Sequence, residues 1–219
     1  MSLSSRSRLL AAAALAAVVV AAAIAASSSG GEPPPPVASS DLFRGIPERG
    51  GVLGDPGAPV TVTEYLDLQC PACAAAARQT LPALVRDHVR TGEVKLEARA
   101  LHFLGPDSER AARFAAAAAE QGRLWPFLDS FYAAQGPENS GYVTDEFLRS
   151  VARAAGVDAG EAFAYADGAG AQEALNRANA DAETAGVQGT PAFTVARGDS
   201  KPRAVVDAAS LPAAIEAAR

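Results

Sequence analysis

The only two cysteines of this 219-residue chain are separated by two residues, in Cys70-Pro71-Ala72-Cys73. A bridge between them would close so small a loop that it would restrict the unfolded chain very little. The pair is poorly placed as a structural staple and well placed for reversible redox chemistry. Val60-Thr61-Val62-Thr63-Glu64-Tyr65 reads as a strand just before it, and Ala74-Ala75-Ala76-Ala77-Arg78 as a helix just after it. The thiols are thereby assigned to a strand-to-helix junction.

That junction predicts different roles for the two thiols. Thiolate, not thiol, is the attacking species, so one cysteine needs a lowered pKa. Cys70 falls at the helix N-cap, with Pro71 at the first helical position, where a missing N–H costs nothing. Unpaired backbone N–H groups and the positive end of the helix dipole favour a thiolate there. Cys73, one turn further in, is expected to be more buried and to keep its proton until needed. Cys70 is therefore assigned as the nucleophile and Cys73 as the resolving thiol. A zinc site would need about four ligands. Beyond the cysteines only His88 and His102 are available, neither at ligand spacing, so no metal is expected.

Glu64 is the second informative residue. Side chains alternate along a strand, so Glu64 shares a face with Val60, Val62, Leu66 and Leu68, while Thr61, Thr63, Tyr65 and Asp67 take the other. A carboxylate in an apolar row suggests burial beneath the cysteines, a raised pKa, and proton exchange with Cys73. The competing reading is a carboxylate at a solvent-wet strand end.

The rest of the chain is organised around this unit. The helix after Cys73 continues through Leu81, Leu84, Val85 and Val89, with a kink at Pro82, and Val94–Leu101 alternates as a second strand. Residues 105–186 read as almost entirely helical. Segments are expected over Ser108–Glu120, Leu124–Ala134, a helix capped by Thr144 and stopped by Gly156, one beginning at Asp158, and a last one over Ala171–Ala185. Trp125, Phe127, Phe131 and Tyr132 read as core by their helical spacing, with a peptide groove as the alternative. β-character returns at Ala192–Val195 and Ala204–Val206, and Ser210 is expected to cap a closing helix with Leu211, Ala214, Ile215 and Ala218 on one face. The order is β-α-β, a helical block, then β-β-α.

The start of the chain reads as separate from the fold. Arg6 and Arg8 precede an uncharged run over residues 9–26 that contains the small-residue site Ala23-Ile24-Ala25. Residues 1–26 describe either a cleaved secretory signal peptide or an N-terminal membrane anchor. Residues 27–40, with Pro33-Pro34-Pro35-Pro36, form a Ser/Gly/Pro-rich linker of extended character. The globular part is assigned to residues 41–219, outside the cytoplasm. The net charge of −6 and the lack of a Lys/Arg-rich stripe argue against nucleic acid as a partner.

Three separated stretches carry a resemblance. These are Glu64-Tyr65-Leu66-Asp67-Leu68-Gln69 leading into the cysteines, Glu120-Gln121-Gly122-Arg123-Leu124-Trp125 with Phe127, and Val187-Gln188-Gly189-Thr190-Pro191-Ala192-Phe193. With them the chain resembles the DsbA-like thiol-disulfide oxidoreductases of the thioredoxin superfamily. The resemblance implies an α/β thioredoxin-like fold with an inserted α-helical domain over residues 105–186. It implies that Pro191 is a cis-proline packed against the active-site disulfide, and that the Thr190 backbone pairs with an extended substrate segment. Glu64 matches the family's buried acid. No cofactor is implied beyond the redox-active Cys70–Cys73 disulfide.

Unfolded or reduced exported proteins are the implied substrates, and a quinone-linked membrane protein the implied reoxidase. One departure bears on direction: Ala72 stands where the strongest oxidants of the family carry histidine, which helps stabilise the thiolate. A reductase or isomerase on the same fold therefore stands beside the oxidase reading. A binding module with incidental thiols is the third, disfavoured because Glu64 and Thr190-Pro191 would have no reason to accompany the cysteines.

Overall fold

The computed structural model describes residues 41–198, 200 and 205–219. The leader, anchor and linker expectations for residues 1–40, and Ala204 of the second late strand, lie outside the described residues. A six-stranded sheet has the order β1-β2-β4-β3-β5-β6, comprising β1 (Glu48–Arg49), β2 (Val52–Leu53), β3 (Val60–Asp67), β4 (Val94–Leu101), β5 (Ala192–Arg197) and β6 (Val205–Val206). β3 and β4 run parallel, with Val60 opposite Val94 and Asp67 opposite Leu101. All other pairings are antiparallel. β3 is therefore held on both edges, and its carboxyl end delivers the chain to the cysteines.

The parallel β3–β4 pair requires a crossover, supplied by α1 (Pro71–Gln79), α2 (Leu81–Leu84) and a π-helical turn over Val85–Val89. The break between α1 and α2 falls at Thr80, two residues before Pro82, as expected where a proline removes a donor and crowds the preceding turn. Five helices lie between β4 and β5: α3 (Pro106–Glu120), α4 (Leu124–Ala133), α5 (Asp145–Ala155), α6 (Ala159–Ala166) and α7 (Ala169–Ala185). After β6, α8 (Leu211–Ala218) closes the described chain.

Local caps explain several of these boundaries. The Thr144 hydroxyl accepts from the Phe147 N–H at 3.2 Å, Asp158 accepts from Glu161 at 2.9 Å, and Gly156 adopts the left-handed conformation that ends α5. Ser210 differs from expectation. Its backbone is helical and its side chain makes no capping bond; instead Asp207 accepts from the Ser210 N–H at 2.8 Å. The β1–β2 hairpin was not foreseen either, because two-residue strands carry no readable alternation. It is pinned by Gly54, at φ +105°, where a Cβ would come within 2.9 Å of Val89.

The two faces of β3 bury against different neighbours. Val60, Val62, Leu66 and Leu68 join Cys73 in the main core, whereas Tyr65 packs with Leu101, Ala192 and the α7 residues Ala178 and Ala182. Trp125, Phe127, Phe131 and Tyr132 are all buried and belong to the core rather than to an open groove. The Trp125 indole N–H donates to the Gly51 carbonyl at 3.0 Å, satisfying the one polar atom that burial of this ring would otherwise orphan.

Candidate active site

β3 ends at Asp67, and a tight turn over Leu68 and Gln69 brings Cys70 to the N-cap of α1. Cys70 has extended backbone angles, Pro71 occupies the first helical position, and both Pro71 and Ala72 are exposed. The Cys73 N–H donates to Cys70 Sγ at 3.4 Å. The Cys70 thiol in turn points at the Thr190 carbonyl, also at 3.4 Å. Both thiols are free and buried, Cys70 at 7% exposure and Cys73 at 0%. An incoming sulfur can thus reach Cys70 from the Pro71–Ala72 side, whereas Cys73 is screened by the helix.

The electrostatics separate the two thiols further. Cys70 is held down to about 6, chiefly by the hydrogen bond from the Cys73 thiol. Burial opposes this, while Thr190 and the N–H groups of Cys73 and Ala72 add to it. The same thiol–thiol hydrogen bond, together with burial, pushes Cys73 up. The helix N-terminus therefore contributes as expected, but the partner thiol contributes more. The second sulfur is the main reason the first is acidic.

Glu64 lies 5% exposed on the Val62–Leu66 face of β3, opposite Ala98 in β4 and Phe193 in β5. Burial alone pushes its carboxyl up to about 8. The buried Tyr132 phenol is raised by desolvation and also feels the charges of Cys73, Glu64 and Asp67, which places these groups in one neighbourhood. Thr190 and Pro191 immediately precede β5, whose Ala192 pairs with Tyr65 of β3. The Thr190–Pro191 peptide is cis. The structure thus brings Cys70, Cys73, Pro71, Ala72 and Thr190-Pro191 together at one end of the sheet, with Glu64 in the strand behind them.

His88 and His102 serve elsewhere: His88 pairs with Glu93 at 3.0 Å, and His102 meets Asn179 at 3.1 Å. Among the described residues no cluster of side chains could hold a metal ion. No helix among them is long and apolar enough to cross a membrane.

Several residues at this end were not singled out from the sequence. Asp67 is wholly buried, and its carboxylate accepts from the Gln69 N–H at 2.8 Å, the Leu104 N–H at 3.3 Å and the Ser108 hydroxyl at 2.6 Å. It ties the turn before Cys70 to the loop after β4 and to α3. Gln135 donates to the carbonyls of Leu68 and Cys70 at 2.7 and 3.2 Å. Phe103, two residues beyond the end of β4 and so at the same end of the sheet, is 57% exposed. The polar pair Asp67 and Gln69 bracketing Leu68 was the available signal, since neither residue suits the end of a buried strand without partners.

The chain matches known proteins at the level of family. A family model described as thioredoxin matches residues 48–217. The probable disulfide bond formation protein D of Bacillus anthracis is 33% identical over 103 residues, covering 46% of this chain and 48% of that protein. The match thus spans about half the length of that curated relative. The crystal structure of a thioredoxin-like oxidoreductase from Silicibacter pomeroyi superposes with a TM-score of 0.62 at 30% identity, covering 83% of this chain and 98% of that one. Oxidised BdbD from Bacillus subtilis has a TM-score of 0.67 at 22% identity, over 79% and 96% of the two chains, and shares the fold. These likenesses place the chain in the thioredoxin family.

Proposed function

We propose that the protein works outside the cytoplasm and introduces disulfides into exported proteins at Cys70-Pro71-Ala72-Cys73. The observation that carries this reading is the asymmetric thiol pair: Cys70 at a helix N-cap, reachable and held at about 6, and Cys73 buried one turn behind it. Starting from the Cys70–Cys73 disulfide, a substrate thiolate attacks Cys70 Sγ, and Cys73 leaves as a thiolate that must acquire a proton. The second substrate thiolate then attacks the substrate sulfur of the mixed disulfide and releases Cys70 as its thiolate. The substrate loses two electrons and two protons, and the cysteine pair gains the electrons. A low Cys70 pKa favours this direction by making Cys70 the better leaving group and stabilising the reduced form.

Glu64 is the proposed proton partner of Cys73. A carboxyl held near 8 exchanges protons at neutral pH, which an ordinary carboxylate cannot do. The Thr190 backbone, beside the reactive sulfur, is the proposed docking edge for an extended substrate segment, with Pro191 shaping it. Phe103 offers an exposed apolar contact at the same end of the sheet for the unfolded chain. A membrane quinone-linked protein is the proposed reoxidase. Residues 1–26 would direct or anchor the domain outside the cytoplasm, with residues 27–40 as its linker.

Cys73→Ala tests the exchange step: substrate mixed disulfides on Cys70 should accumulate under oxidising conditions, and their absence would sink the reading. The direction is set by equilibrating Cys70–Cys73 against glutathione. A potential well below that of glutathione would support a reductase or isomerase instead, the reading that Ala72 in the place of a histidine keeps open.

A further inference from the structure

Gln69 immediately precedes Cys70 and is wholly buried, and its amide is hydrogen-bonded to the helical block. Nε2 donates to the Tyr142 hydroxyl at 2.9 Å, and Oε1 accepts from the Asn139 N–H at 3.0 Å. Both partners lie in the loop joining α4 to α5, within the helical block. From the start of the same loop, Gln135 reaches the Leu68 and Cys70 carbonyls. Residues 68, 69 and 70 are thus each bonded by a side chain to or from one loop.

The loop is shaped for this task. Asn139 is the only non-glycine residue with positive φ among the described residues, at 49°, a conformation that asparagine tolerates better than most. Its side-chain amide meets the Leu104 carbonyl and lies where a Cβ on Gly105 would have to go. The Tyr142 ring lies against Gly136, where a Cβ would approach to 2.7 Å. A larger residue at 136 or 105 would push the loop off the cysteine turn.

We propose that Gln69, Tyr142 and Gln135 are positioning residues that clamp the Cys70 N-cap, so that the inserted helices tune the redox couple rather than merely cover it. The proposal rests on thiol exchange at Cys70 and goes beyond it. The Cys70 carbonyl accepts both from Ala74 N–H, at 3.2 Å, and from Gln135, so its orientation is shared between α1 and the loop. The Cys73 N–H reaches Cys70 Sγ at 3.4 Å, a contact that a small rotation of the turn would lose. The thiolate depends on such donors, whereas the disulfide is held covalently. Loosening the clamp therefore weakens the reduced form more than the oxidised one.

Tyr142→Phe and Gln135→Met, each in the full chain, test this with three readouts: the pH profile of Cys70 alkylation, the equilibrium with glutathione, and thermal stability. Both variants should move the alkylation midpoint to higher pH, with about a threefold or larger drop in rate at pH 5. Both should shift the glutathione equilibrium toward the disulfide by about threefold or more. Unchanged profile and equilibrium in folded variants, even with a lower melting temperature, would overturn the clamp. If Tyr142→Phe does not fold, Gln135→Met decides alone, because its side chain is half-buried in a loop outside the core. A wild-type protein that never exchanges with glutathione would instead remove the functional reading, while the alkylation profiles still judge the clamp.

Discussion

Glu64 and Asp67 lie three residues apart in β3, on opposite faces of the sheet, both nearly or wholly out of reach of water. Their surroundings could hardly differ more. Asp67 is met by two backbone N–H groups and a serine hydroxyl, which give both carboxylate oxygens a donor and fasten three segments of chain together. Glu64 lies between Ala98 and Phe193 of the neighbouring strands, where burial alone decides its charge. The contrast teaches how a fold assigns roles to chemically similar groups. A carboxylate given donors becomes a fastening, whereas the one governed by burial alone is the proposed proton store.

The largest expected effect comes from the fastening. Asp67→Ala would leave the Gln69 and Leu104 N–H groups and the Ser108 hydroxyl without their acceptor. At roughly 1–3 kcal/mol for each unsatisfied buried donor, the variant should lose at least about 3 kcal/mol in denaturant titration. A loss under about 1 kcal/mol would break the comparison.

Glu64→Gln should act through pH instead. A folded pKa raised to about 8, from 4.5, means that the native state binds the proton more tightly than the unfolded chain. Its stabilisation is complete below about pH 4.5 and is lost as pH rises through 8. Glutamine keeps the neutral shape, so the variant should be the more stable protein at pH 9, by a few kcal/mol, and equal to wild type near pH 4. The same substitution should remove a step near pH 8 from the profile of thiol exchange. Identical profiles for variant and wild type would end the proton-store role.

Glu48 lies between these extremes and gives a smaller test. Its carboxylate accepts from the Leu124 N–H at 2.5 Å and from Trp125 at 3.4 Å, capping α4 from the neighbouring hairpin, yet burial still lifts it to about 7. The sign is that of Glu64: stability falls as pH rises from about 4.5 toward 7. Glu48→Gln should flatten that slope and otherwise cost about 1 kcal/mol, as for a weakened cap. A variant that instead loses α4 would show that the charge, not the acceptor, holds the helix. The smallest expected effect is Thr144→Ala, a local cap on α5 worth about 1 kcal/mol with no pH dependence between 5 and 9. Calorimetry across that range separates it from Glu48.

Much of this could be read along the chain because it is local. Thr144, Gly156 and Asp158 act within three or four residues of themselves, and so mark their helix ends in any context. The alternation of Val60, Val62, Glu64 and Leu66 assigns faces to β3 before its partners are known. The failures were also physical. Ser210 carries the residue type of a cap, but its helical backbone puts the hydroxyl out of position, and Asp207 takes the role. Glu48 caps a helix 76 residues away, and Gln135 reaches back 67 residues to Leu68; no local pattern announces such bonds.

The sequence by itself determined the strand-to-helix junction, the placing of one thiol at an N-cap and the other a turn inside, and the order β-α-β, helices, β-β-α. These follow from spacing, from proline at a first helical position, and from the 2.0 and 3.6 periodicities of side chains. Only the tertiary structure decided that the Cys73 thiol is the chief cause of Cys70's acidity, that donors converge on Asp67 while burial alone governs Glu64, and that the helical block grips the turn before Cys70. Each of those depends on which donors converge on a buried group, and convergence is a property of the packed chain.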